Sequence, residues 1–144
     1  MIPTKRYRIT VLEDNEFYNR LLSKQLKNYT DIISAQKNYD FEISSFMSPY
    51  DFLANLKEDT DIAFVDFYLG SLTALEIITK IREKCRDCKI IVISQVRNPQ
   101  SMYNTISLGA FEFIYKDTAA LARSCFIVED IINSTLNNNT HLYN

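Results

Sequence analysis

Four short apolar runs recur along this chain, and each stops at a polar residue able to do chemistry. Residues 9–12 lead into Glu13 and Asp14, residues 62–65 into Asp66, residues 90–93 into Ser94, and residues 111–115 into Lys116. Short continuous apolar runs with polar boundaries read as strands buried on both faces, the signature of a parallel sheet. Segments of helical spacing separate them. Strands alternating with helices imply right-handed crossovers and helices on both faces of the sheet. The expected architecture is therefore α/β: a doubly wound three-layer (βα)5 sandwich, for which the strand order 2-1-3-4-5 sets the first and third strands side by side.

The elements read as follows. Residues 7–13 form the first strand. A helix runs from Phe17 to Tyr29, with Leu21, Leu22 and Leu26 at helical spacing and Asn15 as its cap. Residues 30–40 are polar and read as irregular. Residues 41–46 alternate apolar and polar, as a second strand with one half-exposed face. Ser48 and Pro49 open the second helix, Pro suiting the first turn, and Phe52, Leu53 and Leu56 follow. The third strand spans 62–65, and Gly70-Ser71 breaks the pattern after it. Leu75, Ile77, Ile78 and Ile81 mark a helix to about Lys84, and 89–93 form the fourth strand. Asn98-Pro99 opens a short helix that Gly109 closes just past its end. Residues 111–115 are the fifth strand, and the last helix runs from Thr118 to Leu136. Its apolar face carries Leu121, Cys125, Val128, Ile131, Ile132 and Leu136, widened by Phe126 and Ile127. So wide a stripe is first a packing face, and second a possible homodimer surface. A single domain over residues 1–144 is expected, with a core at about 7–136 and a polar tail at 137–144.

Composition narrows the function classes. Hydrophobic residues make up 47% of the 144 residues, enough for a packed core. The net charge is -2 with both signs interleaved, so no basic stripe argues for direct nucleic-acid contact. No apolar run approaches the ~20 residues of a membrane span, and the first six residues lack the stretch of a signal peptide. The cytoplasm is the expected location. Three cysteines fit a reducing compartment. Cys85 and Cys88 spell Cys-x-x-Cys, but at the end of a helix rather than its start, so they read as incidental residues of a polar loop.

In open α/β sheets ligands bind beyond the carboxyl ends of the strands. Asp14 and Asp66 end the first and third strands, which are neighbours in the expected order, and Glu13 is beside Asp14. Three carboxylates packed together raise one another's pKa. Mg²⁺ relieves that repulsion and prefers oxygen ligands. Lys116 adds a compact positive charge and Ser94 a hydroxyl donor. Nucleophile, metal and charge stabilisation are what phosphoryl transfer requires. Asp66, on the most buried strand, is the best nucleophile.

The chain resembles the receiver domain of two-component response regulators over about residues 7–136. Val11-Leu12-Glu13-Asp14-Asn15, Phe64-Val65-Asp66-Phe67-Tyr68-Leu69, Val92-Ile93-Ser94, Gly109-Ala110 and Phe113-Ile114-Tyr115-Lys116 carry the likeness, as does the separation of Ser94 from Lys116. The resemblance implies that Asp66 accepts a phosphoryl group from a histidine kinase or phosphotransfer protein. It implies that Asp14, Asp66 and the backbone carbonyl of Tyr68 ligate Mg²⁺, with Glu13 acting through a metal-bound water. It gives Ser94 and Lys116 the phosphoryl oxygens, and makes Ser94 and Phe113 the switch residues that rearrange the fourth helix, fifth strand and fifth helix for a downstream protein or output domain. The chain departs from that pattern in three places. Asp117 follows Lys116 where proline is most frequent, Gly70 stands for a usual proline, and Ala74 for a usual glycine. Tyr68 and Gln95 are bulky neighbours of the site.

Competing readings fit less well. A phosphohydrolase with an aspartyl nucleophile often has a second acid where Tyr68 stands. A flavodoxin-like flavin protein needs donors where this chain has acids. A degenerate receiver that binds partners without phosphorylation is compatible with Asp117 and Gly70, and the chain also suits the receiver part of a longer DNA-binding regulator.

Overall fold

The computed structural model describes residues 2–141, with side chains described as far as residue 135. In chain order the elements are β1 (Lys5–Leu12), α1 (Glu16–Lys37), β2 (Tyr39–Phe46), α2 (Pro49–Asn55), β3 (Ile62–Asp66), β4 (Tyr68–Leu69), β5 (Leu72–Thr73), α3 (Ala74–Lys84), β6 (Lys89–Ser94), α4 (Pro99–Ser107), β7 (Glu112–Tyr115) and α5 (Ala120–His141). Five parallel strands form a sheet in the order β2-β1-β3-β6-β7. Counted within that sheet, this is the order 2-1-3-4-5 expected from the sequence.

Successive side chains of a strand point to opposite faces, and the two cores divide accordingly. Leu12, Ala63, Val65, Ile90 and Val92 pack with Phe52 and Leu56 after β2, and with Ile77, Ile78 and Ile81 of α3. On the other face Ile9, Val11, Ile62, Phe64, Ile91, Ile93 and Ile114 meet Leu22, Leu26 and Ile33 of α1 and Val128, Ile131 and Ile132 of α5. Every residue of β3 is buried, so Asp66 leaves the sheet from its most fully buried strand.

Four features differ from the sequence reading. First, α1 continues to Lys37 instead of ending near Tyr29. Thr30 and Ile33 extend the buried stripe of Leu22 and Leu26, and the Thr30 hydroxyl donates to the Lys27 carbonyl. The polar residues of 30–37 are the solvent face, and Asn38 ends the helix in the left-handed conformation (φ 56°). Second, β2 begins at Tyr39, because all of Tyr39–Phe46 pairs in register with β1. Third, β4 and β5 form an antiparallel hairpin of two-residue strands, missed by a search for longer runs. Gly70 sits at its tip with φ +66°, a conformation that proline, fixed near –65°, cannot adopt. Fourth, α5 starts at Ala120 and continues to His141, into the expected polar tail. Residues 142–144 of that tail, and the side chain of Leu136, lie outside the described residues.

Cys85 and Cys88 flank the turn between α3 and β6, and neither forms a disulfide. Both are buried, and the Cys85 thiol donates to the carbonyls of Glu58 (3.0 Å) and Thr60 (3.2 Å). Burial pushes the Cys88 thiol pKa up, which disfavours a reactive thiolate. On α5, Ile127 is buried but Phe126 is 58% exposed. Among the described residues no helix is long and apolar enough to cross a membrane.

Candidate functional site

The carboxyl ends of β1, β3, β6 and β7 meet at one edge of the sheet. Glu13 and Asp14 follow β1, and the Glu13 N–H donates to the Phe46 carbonyl at 3.0 Å. Asn15 caps α1 by accepting from the Tyr18 N–H at 2.9 Å, and donates its own N–H to Glu13 Oε2 at 3.2 Å. Buried Asn19 fastens this corner, donating to the carbonyls of Glu13 and Phe46, each at 3.0 Å. The carboxylates of Glu13 and Asp14 thus sit on a turn held from two sides.

Carboxylate oxygens of Glu13, Asp14 and Asp66 lie within 4.8 Å of one another. Glu13 and Asp66 are buried, while Asp14 is exposed. Lys116 reaches in from the end of β7, with Nζ 2.5 Å from Glu13 Oε1 and 3.3 Å from Asp66 Oδ1. Its own side chain is 10% exposed. The ammonium also lies 4.6 Å from the centre of the Tyr18 ring. Burial first, and then the Glu13 carboxylate, push the Asp66 pKa up to about 8 against the pull of Lys116, with Asp14 adding to the rise. One ammonium does not balance three carboxylates in so little space. A hard divalent cation with oxygen ligands fits this donor set.

The remaining residues stand nearby in different states. Ser94 is buried at the end of β6, and its hydroxyl is committed to its own loop, donating to the Val96 carbonyl (2.9 Å) and accepting from the Val96 N–H (3.2 Å). Its backbone carbonyl accepts from the Lys116 N–H at 2.8 Å, tying β6 to β7. Phe113 is buried, edge-on to Phe67 and Tyr115 with ring centroids at 6.1 and 5.5 Å. Tyr68 opens the hairpin after Asp66, 43% exposed, with its ring edge-on to Phe67. Asn15, Phe17, Tyr18, Gln95 and Lys116 line the mouth of the site.

Asp117 has a local task where the sequence pattern favours proline. Its carboxylate accepts from the Ala119 N–H at 3.0 Å at the entry to α5, and its own N–H donates to the Tyr115 carbonyl at 2.8 Å. Arg97 stacks on Tyr115 at 4.4 Å and pairs with Asp117 at 3.8 Å. The peptide bonds here are trans. Sequence reasoning missed Tyr18, Asn19 and Arg97 as parts of the site. Asn19 left a trace, a polar residue in register with buried Leu22 and Leu26. Tyr18 and Arg97 left none, because their contacts are with residues far along the chain.

A doubly wound α/β domain with an acidic triad and a lysine at its carboxyl edge is the frame of a phospho-signalling module. Residues 9–122 match the response regulator receiver domain family. The chain belongs to that family, the receiver domains of two-component response regulators, which are in general non-enzymatic signalling modules. It is similar to the transcriptional regulatory protein CitT of Halalkalibacterium halodurans, 23% identical over 116 residues, which cover 78% of this chain and 47% of CitT. The chain spans less than half the length of the curated relatives it matches. Two of the solved structures that share the fold illustrate the likeness. The beryllofluoride-activated DrrB receiver domain of Thermotoga maritima superposes with a TM-score of 0.71 at 16% identity, over 89% of this chain and 98% of that one. A CheY-like receiver domain protein from Methanospirillum hungatei gives 0.70 at 17% identity, over 91% and 98%.

Proposed function

We propose that Asp66 accepts a phosphoryl group from a phosphohistidine of a kinase or phosphotransfer protein, and that the modified domain signals through protein contact. The observation that carries this reading is the Lys116 ammonium bridging Glu13 and Asp66 inside the acidic triad of a receiver fold. A carboxylate oxygen of Asp66 attacks phosphorus, the bond from phosphorus to the imidazole nitrogen breaks, and an acyl phosphate forms. Asp14, Asp66 and the Tyr68 backbone carbonyl would hold Mg²⁺, with Glu13 acting on it through water. Bound Mg²⁺ supplies neutralising charge for the phosphoryl oxygens. Lys116 swings from the carboxylates to a phosphoryl oxygen. Ser94 leaves its bonds to Val96 and donates to another.

Ser94 and Phe113 act as the switch, and the responding surface is α4, β7 and α5. That surface carries exposed Met102, Tyr103, Ile106, Phe111 and Phe126, which supports a protein partner or a second copy of the chain as its reader. Two of the curated relatives are named transcriptional regulatory proteins. That supports an output domain, in the same or another polypeptide, as the recipient. No direct nucleic-acid contact is assigned to residues 1–144, which act as one receiver domain in the cytoplasm.

The test is intact mass after incubation with Mg²⁺ and acetyl phosphate, for wild type and Asp66→Asn, beside a beryllofluoride-binding control. A Mg²⁺-dependent gain of one phosphoryl group, lost in the variant, is expected. Beryllofluoride binding without a mass gain indicates a short-lived acyl phosphate. Failure of both leaves a receiver fold that binds partners without phosphorylation.

A further inference from the structure

We infer that Tyr18 is a positioning residue for Lys116: its ring face seats the ammonium so that it can pass from the carboxylates to a phosphoryl oxygen. The inference rests on the phospho-receiver reading above. The Lys116 side chain is almost removed from water and has three neighbours of note, Glu13, Asp66 and the Tyr18 ring. Two of them are acids that also belong to the metal-binding triad. When a cation and a phosphoryl group share that triad, the ammonium must yield its place at Glu13 and Asp66. The aromatic face is the neighbour that has no other ligand to take up. An ammonium over a ring is held more strongly when desolvated than at the surface.

Tyr18 is itself rigidly placed. Its N–H is bonded to the cap residue Asn15, and the next residue, Asn19, is pinned to the Glu13 and Phe46 carbonyls. Its hydroxyl is buried without a hydrogen-bond partner among the described residues. The ring, in contrast, has the Lys116 ammonium over its face.

The test separates ring from hydroxyl, and Lys116 placement from general damage. Mg²⁺-dependent beryllofluoride binding is followed by ¹⁹F NMR in wild type, Tyr18→Phe and Tyr18→Leu, with affinity for Mg²⁺ alone measured in parallel. Tyr18→Phe should bind beryllofluoride as wild type does. Tyr18→Leu should bind it roughly threefold to tenfold more weakly, with Mg²⁺ affinity unchanged. The Lys116 ε-methylene protons should be shifted upfield by the ring in wild type and Tyr18→Phe. Absence of that shift in wild type overturns the proposal without need of any variant. Equal beryllofluoride affinity in Tyr18→Leu, a parallel fall in Mg²⁺ affinity, or a Tyr18→Phe as weak as Tyr18→Leu also overturns it. Should wild type show neither beryllofluoride binding nor a Mg²⁺-dependent phosphoryl gain, the phospho-receiver reading falls and this inference with it. Should wild type bind and the variants match it, the role of Tyr18 alone is refuted.

Discussion

Asp66 is a carboxyl that its surroundings keep partly protonated in the metal-free protein. Burial and the Glu13 and Asp14 carboxylates raise its pKa from 3.8 to about 8. Between those values the folded protein binds more protons than the unfolded chain, so this group's contribution to stability is full below pH 3.8 and is lost as pH rises through about 8. Thermal melts in a chelator should therefore show Asp66→Asn more stable than wild type at pH 8, by about 1 kcal/mol or more, with the difference vanishing near pH 4. An Asp66→Asn protein less stable than wild type at pH 8 would contradict this account of the site. Tyr68 permits a second test at this scale. Its exposed ring opens the hairpin that follows Asp66, where it would stand in the way of a water attacking an acyl phosphate. Loss of phosphate from phosphorylated Tyr68→Ala should be faster than from wild type, and equal rates would remove that role.

At the scale of elements, one departure from the family pattern has a local physical cause. Asp117 both receives the Ala119 N–H and donates to the Tyr115 carbonyl. Installing the proline frequent at that position deletes the donor and the cap together. Asp117→Pro should lower stability by ~1–3 kcal/mol in urea unfolding, despite moving the sequence toward its family. The extension of α1 to Lys37 offers another prediction. Ile33 is packed against the α5 face, so Ile33→Ala should cost ~2–4 kcal/mol. An effect near zero would mean that residues 30–37 are not a packed helix. Tyr29 supports the same packing from across the helix pair, its hydroxyl bonded to the Glu129 carboxylate.

At the scale of the whole molecule, a cation held by the triad would be linked to proton binding and to stability, because Asp66 belongs to both. A ligand that binds only the folded state at a hundredfold excess over its Kd stabilises by about 2.7 kcal/mol. Mg²⁺ should raise the Tm of wild type, and the increment should grow between pH 6 and pH 8 as the Asp66 proton is lost. Asp14→Asn should shrink that increment at every pH. A pH-independent increment would show that the cation binds away from Asp66.

The amino-acid sequence by itself determined the strands and what stands at their ends. Burial on both faces forces unbroken apolar runs, and the first polar residue after each run must emerge at the sheet edge. Glu13, Asp14, Asp66, Ser94 and Lys116 were legible for that reason, together with the strand order their convergence requires. The tertiary structure decided what depends on distant partners. Residues 30–37 are polar by composition and become helix because Thr30 and Ile33 find a buried face. Cys85 and Cys88, in the loop between α3 and β6, turn inward to the core. The pairing of Lys116 with both Glu13 and Asp66, its seat over Tyr18, and the turning of the Ser94 hydroxyl to Val96 depend on how loops meet in space. Periodicity records what one element buries, whereas charge pairing at a shared edge is set by the docking of elements that the sequence keeps apart.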